Sequence, residues 1–248
     1  MRRVYFSLLG LLAIGGMFFL PSSHEEPLFG AAAGMIDNFE SYSVGDLNGG
    51  SGGSGWTANW IANTTYDIQS SVTLNAGSTR AIGIVTDTGG EHSGARTFTG
   101  VDSGDLYVAM RASGLAAGTY CGLEAWNGTS TYGGSLVAFR QDPNQLALAG
   151  TGGVVTLLNP FVANTWYIVH INFVSATQWR VRWKAAGGTF SSFTANQTYV
   201  GSVSSPTRIN IACDRRNGVS FYWDSWGTSD PDAPATTPQG IGDVIFFE

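Results

Sequence analysis

Residues 164–184 read NTWYIVHINFVSATQWRVRWK, two stretches of strict alternation joined by a short polar turn. In the first, Tyr167, Val169, Ile171 and Phe173 fall on one side, and Trp166, His170 and Asn172 on the other. In the second, Trp179, Val181 and Trp183 share a side, while Arg180, Arg182 and Lys184 take the opposite one. Successive side chains of a strand point to opposite faces, so this pattern specifies a β-hairpin with one dry and one wet face.

The same short period recurs along the chain. Alternating or apolar segments at 35–42, 66–74, 80–86, 95–99, 105–113, 119–126, 135–141, 145–149, 154–158, 208–213 and 219–226 are separated by Gly, Asn, Asp or Pro. Twelve or so strands with regular turns and no sustained helical period predict an all-β sandwich or barrel. The 34 glycines, and a charged fraction of only 12%, suit such a turn-rich fold, and 43% hydrophobic residues exclude a disordered chain. The formal net charge of −6 and the lack of a basic run beyond Arg2-Arg3 remove the electrostatic footprint of a nucleic-acid binder.

The ends differ from this pattern. Arg2 and Arg3 precede an apolar run over 4–20, followed by Pro21, a polar stretch and Ala31-Ala32-Ala33. This layout over 1–34 reads as a secretory signal peptide or as an uncleaved N-terminal membrane anchor, and a start at Met35 is the third alternative. Residues 35–228 form the sandwich. Residues 229–248 form a Pro-rich linker ending in IGDVIFFE, whose apolar strand 241–248 either tucks onto its own sheet or is given to a neighbouring subunit. A secreted, cell-surface or virion-surface product is expected. Cys121 and Cys213 both fall on core-facing positions of strands and either pair or remain two buried thiols.

Three stretches carry a family resemblance: the opening IDNFESYSVGDLNG, the central NTWYIVHINF…TQWRVRWKAAGG and the closing VSFYWDSWG. The chain resembles the concanavalin A-like lectin/glucanase (laminin-G-like) jelly rolls over 36 to about 227. The resemblance implies a two-sheet antiparallel β-sandwich in which the first and last strands meet. It also implies a structural Ca²⁺ near that meeting point, for which Asp37, Glu40 and Asp224 are the candidate ligands, with Asp46-x-Asn48 and Asp102-x-x-Asp105 as alternatives. The fold hosts lectins, hydrolases, lyases and structural modules, so it does not set the activity.

The residues favour binding over catalysis. Glycoside hydrolysis needs two carboxyl groups on one face, and Glu124 is the sole acid of its strand. No Glu-x-Asp-x-x-Glu run, no lyase-type Arg/Gln/His/Tyr constellation and no G-x-S-x-G elbow is evident, and His170 reads as a surface imidazole. Outward positions by alternation hold Tyr107 and Arg111, then Tyr120, Glu124 and Trp126, then Arg208 and Asn210, then Tyr222 and Trp226. Aromatic rings stack on sugar faces while Arg, Asn and Glu hydrogen-bond hydroxyls, so these nine residues are expected to line a carbohydrate groove on one sheet. A structural subunit of a virion, filament or envelope is the alternative function, and a glycan hydrolase or lyase the weaker one.

Overall fold

The computed structural model describes residues 35–63, 65–84, 91–141, 144–214 and 218–233. The apolar leader and the strand 241–248 therefore lie outside the described residues. Fifteen strands follow one another: β1 (Gly45–Asp46), β2 (Ile61–Ala62), β3 (Asp67–Gln69), β4 (Ala81–Ile84), β5 (Glu91–Thr97), β6 (Gly104–Ala112), β7 (Tyr120–Asn127), β8 (Thr131–Arg140), β9 (Gln145–Gly150), β10 (Gly153–Leu158), β11 (Trp166–Ser175), β12 (Gln178–Ala185), β13 (Gln197–Thr198), β14 (Arg208–Asp214) and β15 (Phe221–Gly227). Among the described residues there is no helix long and apolar enough to cross a membrane.

The strands form two antiparallel sheets stacked as a sandwich. Sheet I has the order β1-β3-β4-β15-β6-β11-β12-β13, and sheet II the order β10-β9-β8-β7-β14-β5-β2. Asp37 bridges Trp226, so the opening and closing segments meet as in the concanavalin A-like jelly roll. The count exceeds twelve because β1, β2 and β13 are two-residue pairings too short to leave a period in the sequence. Conversely, the segment expected as a strand over 66–74 is paired only at β3, where Gln69 then turns the chain by accepting from Ser71 N and Val72 N.

The hairpin is β11 and β12, paired from Tyr167↔Ala185 to Ser175↔Gln178. Tyr167, Val169, Ile171, Phe173, Trp179 and Val181 are buried in the core between the sheets. Leu106, Val108 and Met110 of β6 and Phe221 and Trp223 of β15 continue that inner layer. Sheet II answers with Cys121, Leu123, Ile209, Ile211, Leu146 and Leu148. Cys121 stands opposite Cys213 across β7 and β14, and the two are joined as a disulfide. Of the two alternatives left by the sequence, the structure has the pair.

The expected wet face of the hairpin is covered. After β12 the chain folds back along its edge, with Ser191 N donating to Trp183 O and Thr194 N to Val181 O, both at 2.8 Å. This return lays Phe190 and Phe193 beside His170, whose ring centroid is 5.1 Å from that of Phe193. His170 is 4% exposed and Lys184 6%, so the reading of His170 as a surface imidazole is corrected.

Candidate functional site

The nine residues expected in one groove divide between two opposite faces and the core. Alternation on β7 sends Cys121, Leu123 and Ala125 inward and Tyr120, Glu124 and Trp126 outward on sheet II. Register on β14 sets Asn210 beside Glu124 and Arg208 beside Trp126. These five residues are brought together.

Around them the face is floored by small residues. Gly122 pairs with Ala138 and Ala212, and Ala138 with Ala147, all on the same side. Gly122 is required here: a Cβ would run into the Val137 carbonyl and the Ala138 methyl. Ala138 and Ala147 are fully buried, so the larger side chains of this face pack over the floor and are themselves half-buried.

Glu124 is held from both sides. Tyr120 OH donates to its Oε1 at 3.1 Å, and Trp126 Nε1 donates to its Oε2 at 2.9 Å. Burial raises the Glu124 carboxyl above its ordinary value, and the two donors act against that rise. Tyr120 is raised by burial first and by the Glu124 charge second. Tyr132 at the start of β8 joins the group, its ring edge-on to Trp126 at 5.5 Å. It is 38% exposed, and burial together with the Glu124 charge pushes its hydroxyl up to about 12. Tyr132 leaves no strand signal in the sequence, because TSTYGG over 129–134 has the composition of a turn. Arg208 Nε donates to Asn210 Oδ1 at 2.7 Å, which fixes the amide with its NH₂ directed away from that bond. The face thus offers two aromatic rings, an oriented carboxylate, an amide and a guanidinium within two adjacent strands.

Tyr107, Arg111 and Tyr222 lie on the outer face of sheet I, on the far side of the sandwich. Tyr107 stacks on His170 at 4.0 Å. Arg111 donates to Asn164 O and Oδ1 at 3.0 and 3.1 Å, and its guanidinium sits 5.6 Å from the Tyr222 ring. Tyr222 is itself 8% exposed under Val72 and Leu74. Trp226 is in the core at 1% exposure, which corrects its outward placement. The pairing of β15 with β6 slips between Asp224↔Ala109 and Gly227↔Tyr107, and Ser225 takes φ 48°. That extra residue is a β-bulge, and it reverses the facing of everything after it.

The three acids offered for Ca²⁺ are occupied by donors of the chain. Asp37 is fully buried and accepts from Phe39 N (3.0 Å), Tyr42 OH (2.7 Å), Trp60 Nε1 (3.4 Å) and Arg96 Nη1 (2.5 Å). Glu40 Oε1 accepts from Thr79 N and Arg80 N, and Oε2 from the Thr79 hydroxyl, while Ser78 Oγ lies 3.2 Å from Glu40 but gives its one proton to the nearer Asp224. Asp224 accepts from Leu74 N, Ser78 Oγ and Ser225 Oγ. Glu40 and Asp224 meet through Ser78, whereas Asp37 faces a separate cluster around Arg96. Oxygens committed to N–H and O–H donors do not fit a cation that needs six or more oxygen ligands. Among the described residues no group of three or more metal-ligating side chains occurs. Asp105, one of the alternatives, holds His170 and Asn172 instead, at 2.6 and 2.8 Å.

No family model and no curated protein matches the sequence. Among solved structures, a protein described with endo-acting O-glycanases of the human gut microbiota aligns at TM-score 0.49 and 11% identity, over 79% of this chain and 98% of that one. The exoplasmic/lumenal domain of VIP36, in a Ca²⁺/Man3GlcNAc-bound form, aligns at TM-score 0.42 and 8% identity, over 73% and 88%. The sialidase of Trypanosoma rangeli aligns at TM-score 0.40 and 10% identity, and the chain spans only 30% of its length. Similarities of this size say nothing about what the chain binds.

Proposed function

We propose that this protein is a non-catalytic carbohydrate-binding β-sandwich, exposed outside the cell, whose ligand lies across the outer face of sheet II. The observation that carries the reading is the Glu124 carboxylate oriented by Tyr120 and Trp126 beside the Arg208–Asn210 pair. Sugars present an apolar ring face flanked by hydroxyls, and this face pairs half-exposed aromatic rings with fixed polar groups in the same way. Among the described side chains of the strands of sheet II, Glu124 is the one carboxylate, and both its oxygens are engaged. The apolar leader and the Cys121–Cys213 disulfide support an oxidising, extracellular setting.

The test is a glycan array followed by calorimetry on the best ligand with Trp126→Ala and Glu124→Gln. Each variant is expected to lose about tenfold or more in affinity. Wild-type protein that recognises no glycan, or variants that bind as wild type does, would end the reading. Light scattering accompanies the array: a large ordered assembly in which Trp126 is shielded would replace the binding module with a structural subunit.

A further inference from the structure

The outer face of sheet I carries a second constellation that the sheet II reading does not use. Strand register lines up two rungs across β6, β11 and β12: Asp105–Asn172–Arg180 and Tyr107–His170–Arg182. Arg180 donates through Nε to Asn172 Oδ1 at 2.9 Å, and Arg182 through Nε to His170 Nδ1 at 2.9 Å. Since Nδ1 accepts, the ring proton of neutral His170 is on Nε2 and points at Asp105 Oδ1, 2.6 Å away. Asp105 also takes the Asn172 amide, at 2.8 Å. The carboxylate thus fixes two acceptors, and the acceptors aim two guanidinium groups.

Those guanidinium groups lie against one ring. Phe193 has the Arg180 Cζ at 4.4 Å and the Arg182 Cζ at 4.6 Å, and Phe190 adds a contact to Arg182 at 4.8 Å. Among the described residues neither arginine forms an ion pair with a carboxylate, whereas Lys184 on the same strand has both Asp230 (2.7 Å) and Asp232 (3.2 Å). Asp105 attracts Arg182 at longer range, and Arg182 also contacts the Tyr107 hydroxyl. Among the described residues the hydrogen bond of Arg180 is the one to Asn172. Residues two apart on a strand lie about 7 Å apart along the backbone, so the two like charges on this face repel, and a bound anion offsets that repulsion. Beside Arg180 a hollow of about 160 Å³ opens, lined by Ser103, Asn172, Phe173, Val174, Arg180 and Asn196. Its hydroxyl and amide groups suit a hydroxyl-bearing ring, and the unused guanidinium edge suits a planar or tetrahedral oxyanion.

We propose that Arg180 and Arg182 form an anion site that takes the carboxylate or sulfate group of an acidic polysaccharide. The polysaccharide half of that statement rests on the carbohydrate reading above, and the anion half does not. His170 and Asn172 are positioning residues: they aim the arginines, and His170 is shielded by Phe190 and Phe193.

The experiment titrates the full-length protein with polygalacturonate, dextran sulfate, unsulfated dextran and polyglutamate, for wild type, Arg180→Gln, Arg180→Lys and Trp126→Ala. Arg180→Gln removes the hydrogen bond to Asn172 and the 4.4 Å contact with Phe193, both at a half-buried side chain, and circular dichroism checks that the variant folds. Wild type is expected to bind at least one of the two acidic polysaccharides, more weakly as salt is raised, and to ignore unsulfated dextran at this site. Arg180→Gln should lose about ten- to hundredfold, Arg180→Lys should fall between, and Trp126→Ala should bind as wild type. Preference for dextran sulfate assigns a sulfate ester, and preference for polygalacturonate a uronate. Equal binding of polyglutamate overturns the polysaccharide half. No polyanion binding, an unaffected Arg180→Gln variant, or loss in Trp126→Ala alone overturns the site. If polyanion binding persists while the array shows no neutral glycan, the sheet II reading fails and the anion half of this one stands.

Discussion

Arg96 Nη1 lies 2.5 Å from Asp37 Oδ2, with side-chain exposures of 3% and 0%. The pair joins the opening segment to β5 inside an aromatic cage, where the Arg96 Cζ sits 4.8 Å from the Trp56 ring and 5.7 Å from that of Trp60. Its Nε also donates to Ala58 O at 3.0 Å, so the guanidinium ties three parts of the 37–60 loop together. Removing one partner of a buried pair leaves the other charge without compensation. Arg96→Ala is expected to lower the free energy of unfolding by about 3–5 kcal/mol, read from urea denaturation. A loss below about 1 kcal/mol would mean that the pair is solvated.

Trp226 packs between Trp60, at a centroid distance of 5.5 Å, and Phe39, at 6.2 Å. Trp226→Ala should therefore cost about 3–5 kcal/mol of stability and leave glycan affinity unchanged at temperatures where the variant is folded. Trp126→Ala should do the reverse. A Trp226 variant that is stable but blind to ligand would restore the outward placement read from alternation.

That exchange of roles shows what alternation encodes. Period two separated Tyr167 from Trp166 and Trp179 from Arg180 correctly, because inside and outside depend only on parity along one strand. Parity does not say which of two sheets a strand joins. Tyr107 and Tyr120 both point outward, yet they face opposite sides of the sandwich because β6 lies between β15 and β11 while β7 lies between β8 and β14. Nor does parity survive an inserted residue: Ser225 bears no mark in sequence, and its φ of 48° turned Trp226 into the core. Coverage is equally long-range, since Phe190 and Phe193 sat in what read as a loop and now roof the hairpin. The Tyr120, Glu124, Trp126, Arg208 and Asn210 group was legible because β7 and β14 are direct neighbours without a bulge between them.

The Cys121–Cys213 disulfide closes a separation of 92 residues. Cross-linking a loop of that length restricts the unfolded chain, and its removal is expected to cost about 2–5 kcal/mol. Mass spectrometry of the unfolded but unreduced protein should show no alkylation by iodoacetamide, and two additions after reduction. The melting temperature should fall when a reductant is present. Two alkylations without reductant would show free thiols and remove this support for an extracellular setting.

His170 should make the protein acid-sensitive. Its burial, opposed by the Asp105 hydrogen bond, lowers its pKa below the ordinary 6.5, and Arg182 and Arg180 add repulsion against the protonated form. A group depressed in the folded state takes up its proton in the unfolded chain first. Folding stability is then level above about pH 6.5 and falls as pH drops from there toward the folded value, by up to about 1.4 kcal/mol per pH unit. Asp105, whose pKa is lowered by the His170 hydrogen bond, contributes in a separate window below its ordinary 3.8, so it does not blur this one. Urea midpoints measured from pH 7.5 to 5 should decline for wild type and stay flatter for His170→Gln, whose amide can still donate to Asp105. The remaining histidines, His24 and His92, are present in both proteins, so the difference between the two profiles isolates His170. Parallel profiles would show that folding does not lower the His170 pKa, so that the ring would protonate near its ordinary 6.5 and Arg182 would lose its acceptor below that pH.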